Sequence, residues 1–227
     1  MAYHCIGSFL CKREMWFDTT NGNIEINIIK TMLYKIAHVL KDRFPWLWDA
    51  AEWLNGLLFV CRYGRSLHKV MGGAICNDLK FKVVRLSPLN VNLAVDFFAA
   101  QPQEAFRFFR PHGFDQSSLL RLCRNKGFLA FLVMQEDRVV GYFFLRSFFT
   151  GKCFRGYMTD FEHRRMGINR VMGQAATSIA VGLGLRMFGS ISPENQASML
   201  SAQAVNDVKI LQTLENGDYL VEYLPKN

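Results

Sequence analysis

Residues 160–173 read DFEHRRMGINRVMG. The stretch sets a pair of arginines, Arg164 and Arg165, and then Gly167 between a strand-like run ending near Thr159 and an amphipathic helical run. The first N–H groups of a helix have no intrahelical acceptor, and the helix dipole adds partial positive charge there. A strand that feeds such a helix start through a short basic loop therefore offers a cradle for phosphate. Gly167 would let a ligand approach the backbone closely, and the two guanidinium groups offer planar, bidentate donors that lysine lacks. An arginine pair before a helix is also an ordinary solvated surface, so the flanking elements decide between the two readings.

Upstream, KFKVVRLS reads as a strand, PLNVNLAVDFFAA as a helix entered through Pro88, and SSLLRLCRN as a short helix behind a serine cap. GFLAFLVMQ and RVVGYFFLRSFF are rich in aromatic and branched residues and meet at Glu136 and Asp137, which predicts an antiparallel hairpin. CFRGYMTD follows the turn residues Thr150 and Gly151 as a further strand. Downstream of the quoted stretch, Ile168, Val171, Met172, Ala175, Ile179 and Leu183 fall at helical spacing. RMFGSIS is a strand, PENQASMLSAQAV a helix with Pro193 at its start, and VKILQTLENGDYLVEYL a closing hairpin turned at Asn216 and Gly217. The order β, α, α, β, β, β, α, β, α, β, β predicts a mixed α/β layer with helices packed on a central sheet.

The N-terminal third is organised differently. In IIKTMLYKIAHVLKDRF, residues 28–44, Ile29, Met32, Leu33, Ile36, Val39 and Leu40 share one helical face, and Pro45 ends the run. A second helix is expected over 46–63, with Gly64 as its stop and residues 70–81 as a connection. The predicted organisation is a leader over 1–27, flexible or lying ahead of the native start, a helical extension over 28–78, and the α/β domain over 79–227. Basic residues beside Trp and Leu on such helices suit an anionic membrane surface; the alternative is a hairpin packed on the domain or on a second copy, giving a homodimer contact through residues 28–69.

Composition bounds the partners. The chain has 227 residues, half of them hydrophobic and a fifth charged, the balance of a folded protein. Its formal net charge of +8 divides into +3 over residues 1–80, from 10 basic and 7 acidic groups, and +5 over 81–227, from 17 and 12. Such a spread charge suits anionic partners without choosing among them. The aromatic residues Phe128, Phe131, Phe143 and Phe144 sit at strand positions that suit a core, and no recognisable nucleic-acid module is present, so nucleic acid is not an expected partner. The cysteines, Cys5, Cys11, Cys61, Cys76, Cys123 and Cys153, form no CxxC pair and no zinc-ligand spacing, so they read as reduced thiols of a cytoplasmic protein with no metal site. WLWDAAEWLNGLLFV, residues 46–60, is too short and too polar to span a bilayer.

From about residue 82 to 224 this chain resembles the GNAT acyltransferase superfamily. The resemblance rests on the element order and on Arg164-Arg165-Met166-Gly167-Ile168-Asn169, which follows the family's R/Q-x-x-G-x-G/A stretch except that Asn169 stands where Gly or Ala is usual. It implies a mostly antiparallel central sheet flanked by helices, with acetyl-coenzyme A as co-substrate. The loop amides would hold the pyrophosphate, and the pantetheine arm would run along Gly156, Tyr157, Met158 and Thr159. Asn195, just after the fifth strand of the domain, matches an asparagine the family places there. FRFFRPHGFD, residues 106–115, is similar to an F-x-P-H-x-F stretch in relatives that acylate sugars in polysaccharide pathways. It implies an N-acetyltransferase acting on a small polar acceptor, an amino sugar or nucleotide-linked sugar. His112 is then a candidate base, or equally a turn histidine, and Asp160 is the next candidate, or a capping carboxylate. Glu162 and His163 follow. The tyrosine acid that many relatives carry about seven residues after the asparagine is absent, since Ala202 stands there. That departure and Asn169 leave open an inactive domain that docks to a membrane surface or a partner.

Overall fold

The computed structural model describes residues 45–72 and 80–226. The chain divides into two compact units, residues 1–54 and 55–227. The second is built on two strands that are hydrophobic on both faces, β2 (Phe128–Gln135) and β3 (Arg138–Phe148), which pair antiparallel through a tight turn at Glu136, held at a φ of 52°. Strands without a polar face must be covered on both sides. Here α2 (Val91–Ala99) and α3 (Gln116–Arg124) cover one side, and α1 (Pro45–Gly72, from Asn55 onward) with α4 (Ile168–Gly182) covers the other.

The remaining strands are β1 (Lys82–Arg85), β4 (Lys152–Thr159), β5 (Arg186–Ile191), β6 (Asn206–Thr213) and β7 (Tyr219–Pro225), with α5 (Gln196–Val205) between β5 and β6. Together with β2 and β3 they form one seven-stranded sheet in the order β1-β2-β3-β4-β5-β7-β6. Every neighbouring pair is antiparallel except β4 and β5, which run parallel. The expected mixed, mostly antiparallel sheet flanked by helices is therefore what the chain forms.

Several local boundaries differ from expectation. Gly64 does not stop α1, because Phe59 and Tyr63 before it are buried in the core and Val70 beyond it packs on Gly182. Burial on that scale outweighs the roughly 1 kcal/mol that a mid-helix glycine costs. Asn55 fixes the same helix to the sheet by donating to Ser147 O at 3.0 Å and accepting from Phe149 N at 3.2 Å. Pro88 lies in a turn, and α2 begins after Asn90. The cap of α3 is Asp115, whose carboxylate accepts from Ser118 N at 2.9 Å, rather than a serine. Pro193 likewise precedes the true cap of α5, Asn195. The helix expected over 28–44, the leader and most of the connection lie outside the described residues.

Candidate functional site

The parallel ladder between β4 and β5 is short. Lys152, Cys153 and Phe154 pair with Arg186, Met187 and Phe188, and no pair follows. From residue 155 to 159 β4 keeps its ladder to β3 while its other edge has left β5. The two strands thus part like a fork, and unpaired backbone N–H and C=O groups face the gap, a template for an extended ligand.

At the open end of the fork stands the start of α4. Gly167 is its N-terminal flanking residue, at φ 84°, and a side chain built there would meet nothing within 4 Å. Arg165 also adopts a positive φ, 64°, so the loop turns left-handed twice before the helix begins. Among the described residues no acceptor is found for the N–H groups of Gly167, Ile168 or Asn169. Arg164 stacks on Phe161 with its guanidinium carbon 4.0 Å from the ring centroid, and Arg164, Arg165 and Met166 are all exposed. The residues present fit a phosphate group: unpartnered amides, two exposed guanidinium groups and no side chain over the backbone. Asn169 is turned aside, since its side-chain oxygen accepts from the Thr159 hydroxyl. Ile168 points into the core.

Tyr157 and Met158 point to opposite faces, as successive strand residues must. Met158 is buried with the α2 and α3 side, whereas Tyr157 packs against the α4 side. Asn195 caps α5 by accepting from Ser198 N at 3.1 Å.

The segment between α2 and α3 reaches over the fork. It holds a single helical turn, Gln103–Phe106. Gly156 has no room for a side chain, because the ring of Phe144 lies 2.7 Å and that of Phe109 3.3 Å from where a Cβ would stand. In the same segment, Arg107 Nη2 meets Glu194 Oε2 at 2.6 Å. The segment is thereby tied to the loop after β5 and bridges the two arms of the fork.

His112 lies in this segment, ringed by Phe98, Phe114, Phe128, Tyr142 and Phe144. Its Nδ1 is 2.8 Å from Gly113 O and its Nε2 is 2.9 Å from the Tyr142 hydroxyl. A carbonyl can only accept, so Nδ1 carries the proton and Nε2 accepts from Tyr142. Burial pushes the His112 imidazole down to about 4, although the Gly113 bond pulls it up. The ring is neutral at pH 7, with both nitrogens engaged.

Asp160 is buried at the end of β4. Its Oδ1 accepts from Gln101 Nε2 at 2.9 Å, and its Oδ2 from His163 Nδ1 at 2.5 Å and Arg138 Nη2 at 3.2 Å. Burial acts to raise its pKa, but the bonds from Gln101 and His163 and the charges of Arg138 and His163 outweigh it, so the carboxyl titrates below its ordinary value. It caps no helix. Glu162 joins the cluster through Arg138 at 3.1 Å. Ligand atoms of Asp160, Glu162 and His163 lie within 4.8 Å of one another, and the Arg138 guanidinium bonds to both carboxylates.

One functional candidate escaped the sequence. Arg155, at the point where the fork opens, is 6% exposed and surrounded by Tyr157, Tyr223 and Asn206. In the sequence it is one arginine in a strand, and nothing local signals its burial.

No family model and no curated protein matches the chain. Solved structures do. The GNAT domain of S. lividans PAT is 13% identical, with a TM-score of 0.55, over 66% of this chain and 96% of that one. The PaiA N-acetyltransferase of Thermoplasma acidophilum, solved in complex with coenzyme A, is 12% identical at a TM-score of 0.52, over 64% and 99%. AAC(6')-Ib, solved in complex with parmomycin and acetyl-CoA, is 8% identical at 0.51, over 65% and 94%. These neighbours are acetyltransferases, and the fold of this chain is the GNAT fold.

Proposed function

We propose that this protein moves an acetyl or other short acyl group from coenzyme A to an amine or hydroxyl of a small polar acceptor, an amino sugar or nucleotide-linked sugar. The observation that carries the reading is the fork between β4 and β5, whose open end meets the vacant amides and left-handed Gly167 at the start of α4. Two of the similar structures hold coenzyme A or acetyl-CoA, one of them with parmomycin beside it, which supports both the donor and a polar acceptor. The match around His112 motivates the sugar.

In this reading the amides at 167–169 with Arg164 and Arg165 hold the pyrophosphate, and residues 156–159 align the arm. The bound thioester supplies an activated acyl carbonyl. The segment over 106–114 shapes the acceptor site from the other face of the sheet, with Phe109 against Gly156. Neither His112, neutral and doubly bonded, nor Asp160, held low by three donors, is poised to take a proton at pH 7. Catalysis then rests on bringing an already neutral nucleophile to the carbonyl, and such alignment alone supplies a large part of many rate enhancements. We assign His112 and Asp160 positioning roles. A cytoplasmic setting fits, and no helix among the described residues is long and apolar enough to cross a membrane. A peripheral membrane or homodimer contact through residues 28–69 belongs to the same proposal, since Leu57 and Leu58 of α1 are exposed.

The test is calorimetric binding of acetyl-coenzyme A to the full chain and to an Arg164→Ala, Gly167→Glu variant. Micromolar binding by the wild type, abolished in the variant, is expected. A folded wild type that binds none would end the enzyme reading and leave a binding module.

A further inference from the structure

Arg155 is the first residue of β4 beyond its last pair with β5. Its Nη1 donates to Asn206 Oδ1 at 2.8 Å. Asn206 is itself fixed, because its Nδ2 donates to Thr177 Oγ1 at 2.9 Å and to Leu224 O at 3.3 Å. The guanidinium carbon lies 3.4 Å from the centroid of Tyr223 and 5.3 Å from that of Tyr157. The Tyr223 ring lies over Gly189 of β5, where a Cβ would stand 2.6 Å from its hydroxyl. The group therefore sits across the base of the fork, on the side covered by α4 and α5, with Nη1 turned to Asn206 at the start of β6 and the opposite edge turned away from it.

That opposite edge is vacant. Nε and Nη2 are closed off from solvent and have no hydrogen-bond partner. Arginine cannot shed its proton. Nothing around it supplies the balancing charge: no carboxylate among the described residues pairs with it, burial pushes the Tyr223 phenol up to about 12, and burial likewise lifts the Cys153 thiol to about 12. A buried cation without an anion is costly even when it stacks on an aromatic face.

The geometry of that edge selects the kind of anion it would hold. Nε–H and one Nη2–H are parallel donors that match the two oxygens of a carboxylate. The protein contains its own example, since Arg186 uses the same edge to hold Glu222, with Nε at 2.7 Å and Nη2 at 2.9 Å from its two oxygens. Residues 155 to 159 span about 13 Å at strand rise, so an arm lying along that open edge of β4 from the side of Gly167 would lead toward Arg155. Of the side chains around the guanidinium, Tyr157 is the half-buried one, with its ring centroid 5.3 Å from the guanidinium carbon.

We propose that Arg155 receives a carboxylate at the far end of the acyl group, so that the preferred donor is the coenzyme A thioester of a dicarboxylic acid, of the succinyl type. This rests on the acyl-transfer reading above. The acceptor nitrogen attacks the thioester carbonyl carbon, the C–S bond breaks, and the coenzyme leaves as its thiol with the proton that the nitrogen gives up. The distal carboxylate is unchanged, so an amine becomes an amide that carries an acid.

The test is calorimetric titration of the full chain with succinyl-coenzyme A, acetyl-coenzyme A and free coenzyme A. The wild type is expected to prefer succinyl- over acetyl-coenzyme A by about tenfold or more, as a bidentate charged pair implies. In Arg155→Met the preference should vanish, with acetyl-coenzyme A affinity kept to within about twofold. Arg155→Lys, which keeps the charge but not the planar edge, should retain only part of it. Equal or weaker binding of the succinyl thioester by the wild type overturns the proposal while leaving acyl transfer intact. Failure to bind any of the three, free coenzyme A included, overturns both. If either variant is unfolded in a thermal melt, the wild-type ratio decides.

Discussion

The hydroxyl of Tyr142 stands 2.9 Å from Nε2 of His112 and donates to it, because the other ring nitrogen is committed to Gly113 O at 2.8 Å. The fold therefore favours the neutral ring. Its pKa lies at about 4, against 6.5 for an ordinary histidine, with burial as the main cause. Between those values the unfolded chain takes a proton that the folded chain refuses. The stability this implies is complete above pH 6.5 and falls as the pH drops toward 4, by on the order of 3 kcal/mol. Urea midpoints at pH 7.5 and 4.5 should differ less for His112→Gln than for the wild type. An unchanged pH difference would contradict the assigned state of the ring.

Gly167 and Arg165 separate strain from ligand binding. A Cβ at Gly167 meets nothing, but φ 84° is unfavourable to any side chain, so Gly167→Ala should cost about 1 kcal/mol in stability. If the acyl-transfer proposal holds, its larger effect should be on coenzyme A, because the methyl would stand where the pyrophosphate is proposed to approach the amides. Arg165→Gly relieves the strain of φ 64° and should leave the melting temperature equal or higher while weakening coenzyme A binding. Thermal melts and calorimetry on the same samples check both.

Gly156 is required by space rather than by conformation. An alanine methyl would stand 2.7 Å from Phe144, whose ring also packs on His112. Gly156→Ala should destabilise by about 1–3 kcal/mol, the usual cost of overpacking. It should also disturb the ring resonances of His112 and Phe128 in an NMR spectrum, since Phe144 stacks on Phe128. Unshifted ring resonances would show that Phe144 does not move.

Asp160→Asn exchanges an anion for an amide facing Arg138 and the Nδ1–H of His163. The loss should be about 2 kcal/mol at pH 7 and should shrink at low pH, since the stability from a carboxyl held low is present above its ordinary value and is lost as that carboxyl protonates. Denaturant titrations of both proteins across pH 2 to 7 measure the convergence.

Phe59 is completely buried in the cluster that contains α4 and the sheet core. Phe59→Ala should cost about 3–5 kcal/mol. A fragment that starts at residue 79 would strip Phe59 and Tyr63 from the same core, and its melting temperature should fall well below that of the full chain.

Much of this was legible beforehand where the signal is local. Gly217 at φ 85° closes the hairpin that its sequence announces, and the alternation of runs gave the order of elements from β1 to β7. The junction at Gly167 could be read because a helix start carries its own polar groups. What stayed hidden depends on distant partners. Gly64 looks like a stop until Val70 is seen against Gly182, and His112 looks titratable until five aromatic rings enclose it. Arg155 shows the limit best, for Asn206, which accepts from its Nη1, lies 51 residues away.

The three-residue contact between β4 and β5 also has a mechanical meaning. Strands β1 to β4 and strands β5 to β7 are each laced by antiparallel ladders, while among the described residues the ladder between the two groups is confined to residues 152–154. Helix α4, which packs on β3, β4 and β5, is the splint laid across that junction. A molecule lodged between the halves would give residues 155–159 the edge partners that β5 does not supply, and hydrogen exchange along those residues would report it.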